Sequence, residues 1–400
     1  MPIINRFLAM SKPSATYRVL DRIAEKRSNG EHVISLFAGE PDFDTPEHIS
    51  LAGINAIKSG YTRYSPVAGL LELRTAVIEK FRQENQIESH MDEVIVATGG
   101  KQIIFNALSA TLNEGDEVII PAPYWVSYPE MVTVCAGTPV EVICKEEDEF
   151  KLTPALLEKA ITPKTRWLIF NSPSNPTGSV YTKEELLALA DVIRKHPDIM
   201  VLSDDIYEHL IFDGLEYVTL AQVAPDLKPR TLTMNGVSKA YAMTGWRIGF
   251  ATGPSWLIKE MSKLQGHQTS GACTLSQHAA IAALTGPKDV LSQSKSIFQN
   301  RRDRILEWLK DANGIQCHKP LGAFYIYANC QKLLGKTTSA GARLESDQDV
   351  AVALLEEKNV AVVPGSAFGL GPYLRIAYAT DLDSLEEACL RIKAFCAELQ

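Results

Sequence analysis

Between about residue 70 and residue 290 the chain alternates two hydrophobic patterns. Apolar residues recur at helical spacing in LLELRTAVIEKFRQEN (70–85) and KEELLALADVIRKH (183–196). Short apolar runs bounded by turn residues predict strands at EVIVAT (93–98), EVIIPA (117–122), RWLIFN (166–171), IMVLSD (199–204) and RIGFAT (247–252). This alternation predicts an α/β fold with a mostly parallel sheet that helices cover on both faces.

The pattern changes after about residue 290. A long charged helix over 294–312 precedes three short predicted strands, AFYIYA (323–328), VAVVPG (360–365) and YLRIAYA (373–379), and an amphipathic helix over 383–399. This predicts a second, smaller α+β domain. We expect a large domain over 49–290 and a small domain over 291–400, with the N-terminal segment 1–48 packing against the small domain.

Composition narrows the classes of partner. The chain has 400 residues, 46% of them hydrophobic and 22% charged, with a formal net charge of −8. That charge provides no basic field for nucleic acid or for an anionic membrane, and no apolar stretch is long enough to span a bilayer. Seven cysteines without a C-x-x-C pair do not resemble a disulfide framework or a zinc site. We therefore expect reduced cysteines and a cytoplasmic protein that binds no metal.

Polar and glycine-bearing segments follow four of the predicted strands. They are GGKQ (99–102), PAPYW (121–125), NSPSNPTG (171–178) and SDDIYEH (203–209). Ligands of open α/β sheets bind outside the carboxyl ends of the strands, so these segments are predicted to converge on one crevice.

One lysine stands out in NGVSKAYAMTGWRIGF (235–250), where Lys239 lies among small and apolar residues and Arg247 follows eight residues later. A lysine that is removed from water loses solvation, which lowers its pKa or requires a partner. Rival motifs fail: LLGKT (333–337) has Cys330 where a phosphate loop needs glycine, and no G-x-G-x-x-G fingerprint follows the first strand. Lys239 is therefore the leading candidate for a reactive group.

The sequence resembles the class I aminotransferases of pyridoxal phosphate fold type I over nearly its whole length. The blocks that carry the resemblance occur in the family's order: AGEPDFDTPEH (38–48), YSPVAGLLELR (64–74), GGKQ, PYWVSYPEM (123–131), NSPSNPTG, SDDIYEHL (203–210), SKAYAMTGWRIG (238–249), VVPGSAFG (362–369) and LRIAYAT (374–380). Together they are most similar to bacterial aspartate aminotransferases, including the branch that also acts on prephenate. The resemblance implies a seven-stranded sheet in the large domain.

The resemblance implies that pyridoxal phosphate is the cofactor and that Lys239 holds it covalently. It places Asp204 against the pyridine nitrogen, where a carboxylate keeps that nitrogen protonated, and Trp125 on the face of the ring. Asp205 points the other way if this segment is extended, and we expect it at the surface.

The resemblance also implies the remaining contacts to the cofactor. Tyr207 and Asn175 are expected to reach the ring oxygen. The expected phosphate contacts are Gly99, Gly100, Lys101, Ser238 and Arg247, together with Tyr64 from a neighbouring subunit. A residue lent by a second subunit implies a homodimer with shared active sites.

Substrate contacts follow in the same way. Arg375 is expected to bind the α-carboxylate, with Gly39, Trp125 and Asn175 beside it, because a guanidinium offers two parallel donors to a carboxylate. The expected contacts to a distal carboxylate are Lys101 and Thr16.

The leading functional hypothesis is transfer of the amino group of L-aspartate to 2-oxoglutarate by a ping-pong mechanism. Within the family an aromatic, alanine or prephenate aminotransferase stays open. From other classes we considered a regulatory protein without turnover and a nicotinamide dehydrogenase; the intact Lys239, Asp204 and Arg375 argue against the first, and the missing glycine fingerprint argues against the second. The preferred donor and acceptor, the pathway and the extent of domain closure are not fixed by the sequence.

Overall fold

Helices and strands alternate along most of the chain in the computed structural model, which describes residues 4–11 and 15–400, apart from the side chains of residues 15–18. The helices are α1 (Arg6–Met10), α2 (Ala15–Ser28), α3 (Glu47–Lys58), α4 (Leu71–Asn85), α5 (Gly100–Thr111), α6 (Ser127–Val134), α7 (Pro154–Ala160), α8 (Lys183–Arg194), α9 (Leu220–Val223), α10 (Ser255–Gln268), α11 (Thr274–Thr285), α12 (Asp289–Leu309), α13 (Asp347–Lys358) and α14 (Leu382–Glu398). The strands are β1 (Ile34–Ser35), β2 (Val94–Ala97), β3 (Glu117–Ala122), β4 (Thr138–Ile143), β5 (Thr165–Asn171), β6 (Met200–Asp204), β7 (Thr231–Gly236), β8 (Gly249–Thr252), β9 (Gln316–Cys317), β10 (Tyr325–Asn329), β11 (Val360–Ala361), β12 (Val363–Pro364) and β13 (Tyr373–Ala377). None of the helices in these described ranges is long and apolar enough to cross a membrane.

A seven-stranded sheet in the order β2-β8-β7-β6-β5-β3-β4 forms the larger part of the molecule. Strand β8 is antiparallel to both of its neighbours, and the other pairs are parallel. Successive residues of β3 enter different cores: Val118 and Ile120 pack with α5 and α10, whereas Ile119 packs with α7 and α8. Both faces are therefore covered, which confirms the predicted α/β architecture.

Two strands of this sheet were not among those expected from the sequence. Strand β7 is buried along its whole length although it contains Thr231, Thr233 and Asn235. The Thr231 hydroxyl donates to the Leu227 carbonyl at 2.9 Å, and the Asn235 side-chain oxygen accepts from the Gly236 amide at 2.7 Å. Strand β4 lies at the sheet edge and is partly exposed, so its hydrophobic pattern is weak.

Strand β8 also begins later than RIGFAT predicted. Arg247 precedes the strand in the left-handed region, with φ of 59°, directly after a short 3₁₀ turn over Thr244–Trp246. A bulky residue rarely adopts this conformation unless its surroundings hold it there. The Arg247 guanidinium holds its own turn in this way, by donating to the Thr244 carbonyl at 2.9 Å.

A smaller antiparallel sheet in the order β12-β13-β10-β9 packs with α12, α13 and α14 around a core of its own. The N-terminal segment joins this part of the molecule because β1 pairs in parallel with β11, Ile34 opposite Val360. Ile34 and Leu36 belong to the same core. The boundaries expected at residues 48 and 290 stay predictions.

The carboxyl ends of β2, β3, β5, β6 and β7 lie at one edge of the large sheet, because these strands are mutually parallel in direction. Arg247 reaches the same edge since antiparallel β8 begins there. Five separate chain segments and the start of β8 thus present their side chains to one place, as the topology of an open α/β sheet requires of a ligand site.

Candidate active site

A cavity of about 580 Å³ opens between this edge, the small sheet and the N-terminal segment. It brings together most of the site residues expected from the sequence. They are Gly39, Gly100, Lys101, Trp125, Asn175, Asp204, Tyr207, Ser238, Lys239, Arg247 and Arg375.

Two of the expected residues, Gly99 and Tyr64, do not line the cavity. Gly99 lies directly behind it and caps α5 with a φ of 81°, and a β-carbon there would come within 2.5 Å of the Arg247 guanidinium. Tyr64 is 94% exposed and is not part of the cavity lining of its own chain, so its contact across a subunit boundary stays a prediction. The side chain of Thr16 lies outside the described residues.

Lys239 follows β7 and places its amine inside the cavity, where it donates to the Gly39 carbonyl. The ring centroids of Tyr207 and Phe324 each lie 5.9 Å from the amine nitrogen. Burial lowers the pKa of Lys239 to about 8; the positive charges of Arg375 and Arg247 act in the same direction, against Glu40 and Asp204. A substantial fraction of the amine is therefore neutral, and nucleophilic, near physiological pH.

Asp204 ends β6 with a fully buried carboxylate. Tyr128 donates its hydroxyl to Oδ2 at 2.6 Å, and the Ile206 amide donates to Oδ1 at 3.2 Å. Burial raises the pKa of Asp204 to about 6, and these two hydrogen bonds and the charge of Lys239 limit the rise. No lysine or arginine forms an ion pair with Asp204 within the described part of the chain, so this carboxylate is available to a cationic group of a ligand.

Tyr128 was not among the residues expected from the sequence. It lies three residues after Trp125, and the two rings pack perpendicular to each other with centroids 5.4 Å apart. Its sequence signal was the spacing within PYWVSYPEM, which places both aromatic residues on one side of the turn that begins α6.

The expectation for Asp205 was wrong, because the structure buries this residue to 1% exposure. Its side chain does point away from the cavity, but helices cover both faces of the sheet, so the opposite face is a second core and not solvent. The Ser203 hydroxyl donates to the Asp205 carboxylate at 2.6 Å, and burial raises the pKa of this carboxyl to about 7.

A buried ion pair between Lys80 of α4 and Glu208 fixes the turn that carries Asp204 and Tyr207. Asn85 completes it: its amide donates to Glu208 at 2.7 Å and its oxygen accepts from Lys80 at 2.6 Å. Lys80 and Asn85 thus attach this turn to α4.

Arg375 on β13 is buried but has no acidic partner among the described residues. Its guanidinium donates to Asn175 Oδ1 at 3.1 Å and to the Phe37 carbonyl at 2.8 Å, and its Nε finds no acceptor in this part of the chain. It lies over the ring of Tyr325, 4.6 Å from the centroid. A buried guanidinium with donors to spare is suited to a carboxylate ligand.

Positive charge exceeds negative charge around the cavity. Among the described residues that line it, four are cationic (Lys101, Lys239, Arg247 and Arg375), and two are acidic, Glu40 and Asp204. The Lys101 amine lies 4.8 Å from the centroid of the Trp125 ring. Because like charges in a partly buried site repel, this cavity favours ligands that together carry several negative charges.

Comparison with known proteins agrees with this geometry. The family model described as "Aminotransferase class I and II" matches residues 31–392. The chain belongs to this aminotransferase family.

Its relatives in the family are similar over their full length. A probable aspartate/prephenate aminotransferase from Rhizobium leguminosarum bv. phaseoli is 57% identical, with 97% of each chain covered. An aspartate/prephenate aminotransferase from Cereibacter sphaeroides is 53% identical, with 100% of each covered. The crystal structure of the aspartate aminotransferase from Rhizobium meliloti superposes with a TM-score of 0.97 at 48% identity, again with 100% of each chain covered.

Membership of this aminotransferase family implies pyridoxal phosphate, and the cavity fits that group. Lys239 offers a poised amine for an aldehyde, and Asp204 a buried acceptor for a protonated ring nitrogen. Arg247 and the glycine-bearing N-terminus of α5 offer donors for a phosphate. Gly99 leaves room for the Arg247 side chain, which a larger residue would displace.

Replacing Asp204 with asparagine should stabilise the cofactor-free aminotransferase at pH 8. The folded pKa of about 6 lies above the ordinary value of 3.8, so ionisation opposes folding above pH 6 and this cost disappears as pH falls towards 4. We expect the free energy of unfolding to rise by about 1–2 kcal/mol at pH 8 and not to rise at pH 4.5. These values allow for the loss of one hydrogen bond, because the amide nitrogen of asparagine cannot accept one. Thermal unfolding at both pH values measures it; equal midpoints for the two proteins at pH 8 would contradict this electrostatic account of Asp204.

Proposed function

We propose that this chain transfers the amino group of L-aspartate to 2-oxoglutarate through pyridoxal phosphate, giving oxaloacetate and L-glutamate in two half-reactions. The observation that carries the proposal is the presence in one cavity of two cations, Arg375 and Lys101, that have no acidic partner among the described residues. Aspartate, oxaloacetate, glutamate and 2-oxoglutarate each carry two carboxylates. The names of the similar proteins from three bacterial species support the same assignment.

When bound, pyridoxal phosphate supplies an electron sink and carries the amino group between the two half-reactions. The protein supplies position and proton transfer. Arg375 binds the α-carboxylate through its two donor nitrogens, and Asn175 and the Phe37 carbonyl fix the plane of the guanidinium. The substrate α-carbon is thereby held towards Lys239.

Lys239 would remove the proton from the substrate α-carbon and deliver it to the cofactor carbon that takes up the amino group. In the second half-reaction it would move a proton in the opposite direction, from that carbon to the α-carbon of the 2-oxo acid. Its lowered pKa makes it an effective base near neutral pH, since a proton carrier works best when its pKa lies close to the working pH. Asp204, kept ionised by Tyr128, favours the positive charge on the pyridine nitrogen. Arg247 and the N-terminus of α5 would hold the phosphate.

We propose prephenate as a second substrate, because it also carries two carboxylates and because two similar proteins are named for both activities. The distal carboxylate would meet Lys101. An ammonium group is a point charge without the directional fork of an arginine, so it can serve carboxylates at different distances.

Replacing Lys101 with alanine should distinguish dicarboxylate substrates from apolar ones. Loss of one charge-assisted contact costs about 1.5–3 kcal/mol, so kcat/KM for aspartate should fall roughly 10- to 100-fold. Alanine and phenylalanine lack the distal carboxylate, so kcat/KM for these two donors should fall much less. Steady-state kinetics with the three amino donors measures the difference.

The matched control is Lys310→Ala, because Lys310 is an exposed lysine at the end of α12. This variant should have the native kcat/KM with all three donors. An equal loss with all three donors would show that Lys101 serves only the cofactor. The dicarboxylate assignment would then be wrong, although the transaminase assignment would stand.

We also propose that the enzyme is a homodimer in which Tyr64 contacts the phosphate in the site of the partner subunit. Apart from the exposure of Tyr64, the support is an apolar face on and after α3, where Leu51, Ile54, Ile57 and Tyr61 are each more than two-fifths exposed. Apolar side chains grouped at the surface are typical of protein interfaces.

The Tyr64→Ala and Lys239→Ala variants should each lose activity when expressed alone. Co-expressing them should restore part of that activity. In a mixed dimer one site keeps its own Lys239 and receives Tyr64 from the partner. Random pairing makes half of the dimers mixed, with one intact site each, so activity should reach roughly a quarter of the native value.

The control pairs Lys239→Ala with Arg375→Ala. Both residues line the same cavity of one chain, so every site in a mixed dimer lacks one of them and no activity should return. All co-expressed dimers are purified together, without separating the mixed ones, and are assayed with aspartate and 2-oxoglutarate; absence of recovery in the Tyr64 pair would exclude a shared site.

A further inference from the structure

Tyr325 on β10 lies between the two halves of the site and has no role in the function proposed above. Its side chain is fully buried, and its hydroxyl lies 2.8 Å from the hydroxyl of Tyr207. The face of its ring supports the Arg375 guanidinium at 4.6 Å. One side chain therefore touches both the residue expected at the cofactor ring and the residue expected at the substrate carboxylate.

The direction of the hydrogen bond between the two phenols follows from counting protons. Each hydroxyl has one proton to donate. If Tyr207 donates its proton to the ring oxygen of the cofactor, it can only accept from Tyr325. Burial raises the pKa of both phenols, so both protons are present at working pH.

The surroundings of the Tyr325 hydroxyl reinforce this direction. Within the described residues its only hydrogen-bond partner is Tyr207. The backbone of Gly39 approaches so closely that a β-carbon there would lie 2.9 Å from the hydroxyl oxygen. This close approach leaves little room for a different partner on that side.

We propose that Tyr325 is a positioning residue that acts through Tyr207 and Arg375, a proposal that rests on the transaminase function above. Its hydroxyl donates to Tyr207, which strengthens the donation from Tyr207 to the cofactor ring oxygen, since hydrogen bonds in a chain polarise one another. Its ring holds the Arg375 guanidinium by a cation–π contact. The two effects belong to different parts of one side chain and can be separated.

The test records the visible absorbance of bound pyridoxal phosphate as a function of pH. A donor to the ionised ring oxygen stabilises the ionised form, so weakening that donor raises the pH midpoint. Tyr325→Phe should shift the midpoint upward by about 0.3–0.5 pH unit, as expected for loss of a cooperative part of one hydrogen bond. Because the ring remains, the affinity for succinate, a non-reacting dicarboxylate, should stay within about twofold of native by calorimetry.

Tyr325→Leu removes both parts of the side chain. It should shift the midpoint in the same way and also weaken succinate binding by roughly 3- to 30-fold through loss of the contact with Arg375. Unchanged succinate affinity in this variant would overturn the proposed support of Arg375.

Tyr378→Phe is the matched control. Tyr378 is also buried in the small core, and its hydroxyl donates to the Ala323 carbonyl at 3.2 Å, without a contact to Tyr207 or Arg375. It should leave the midpoint at the native value. Equal shifts in this control and in Tyr325→Phe would mean general loosening of the core and would overturn the proposal.

A double variant tests whether Tyr325 acts through Tyr207. Tyr207→Phe should raise the midpoint by itself, and adding Tyr325→Phe should shift it no further, because residues in one network are not additive. Additive shifts, or a native midpoint in Tyr325→Phe alone, would overturn the inference while leaving the transaminase function intact. A native protein without any pH-dependent cofactor band would instead refute the proposed function.

Discussion

Charged groups taken out of water are most stable beside an opposite charge, and the cavity of this protein contains several that form no ion pair among the described residues. Arg375 is buried without an acidic group, Asp204 without a cation, and Lys239 with an amine whose pKa is lowered to about 8. Each of these arrangements lowers the stability of the empty protein. They become favourable together once a ligand supplies a carboxylate, a protonated ring nitrogen, an aldehyde and a phosphate.

In this fold, packed strands and helices hold in place the residues that line the cavity. Parallel strands deliver Trp125, Asp204 and Lys239 to one edge of the large sheet, and the Lys80–Glu208 pair fixes the turn behind Asp204. The small sheet contributes Arg375 from the other side. The N-terminal segment completes the wall, since the carbonyls of Phe37 and Gly39 accept from Arg375 and Lys239 respectively.

The sequence was informative wherever hydrophobic pattern and function coincide. Five strands of the large sheet follow from apolar runs, and Lys239 is noticeable because its neighbours are small and apolar. Strand β7 escaped notice because Thr231, Thr233 and Asn235 are polar residues at buried positions, a state that composition cannot distinguish from a polar loop.

The burial of Asp205 was already implied by the prediction that helices cover both faces of the sheet, although the expectation for this residue did not use it. The contact of Tyr325 with Tyr207 was beyond the sequence, because it joins residues 118 positions apart and leaves no local pattern. The role proposed for Tyr64 depends on a contact with a second subunit, and the pattern of one chain does not encode that contact directly.

The central claim is that Lys239 binds pyridoxal phosphate covalently and transfers the proton when aspartate reacts. The most direct measurement is the visible spectrum of the purified protein with pyridoxal phosphate, before and after L-aspartate, beside the Lys239→Ala variant. We expect the native protein's cofactor band to bleach with aspartate and to return with 2-oxoglutarate, and the variant to show no such cycle. A native protein that forms no cofactor band, or a variant that cycles as well as the native protein, would contradict the claim.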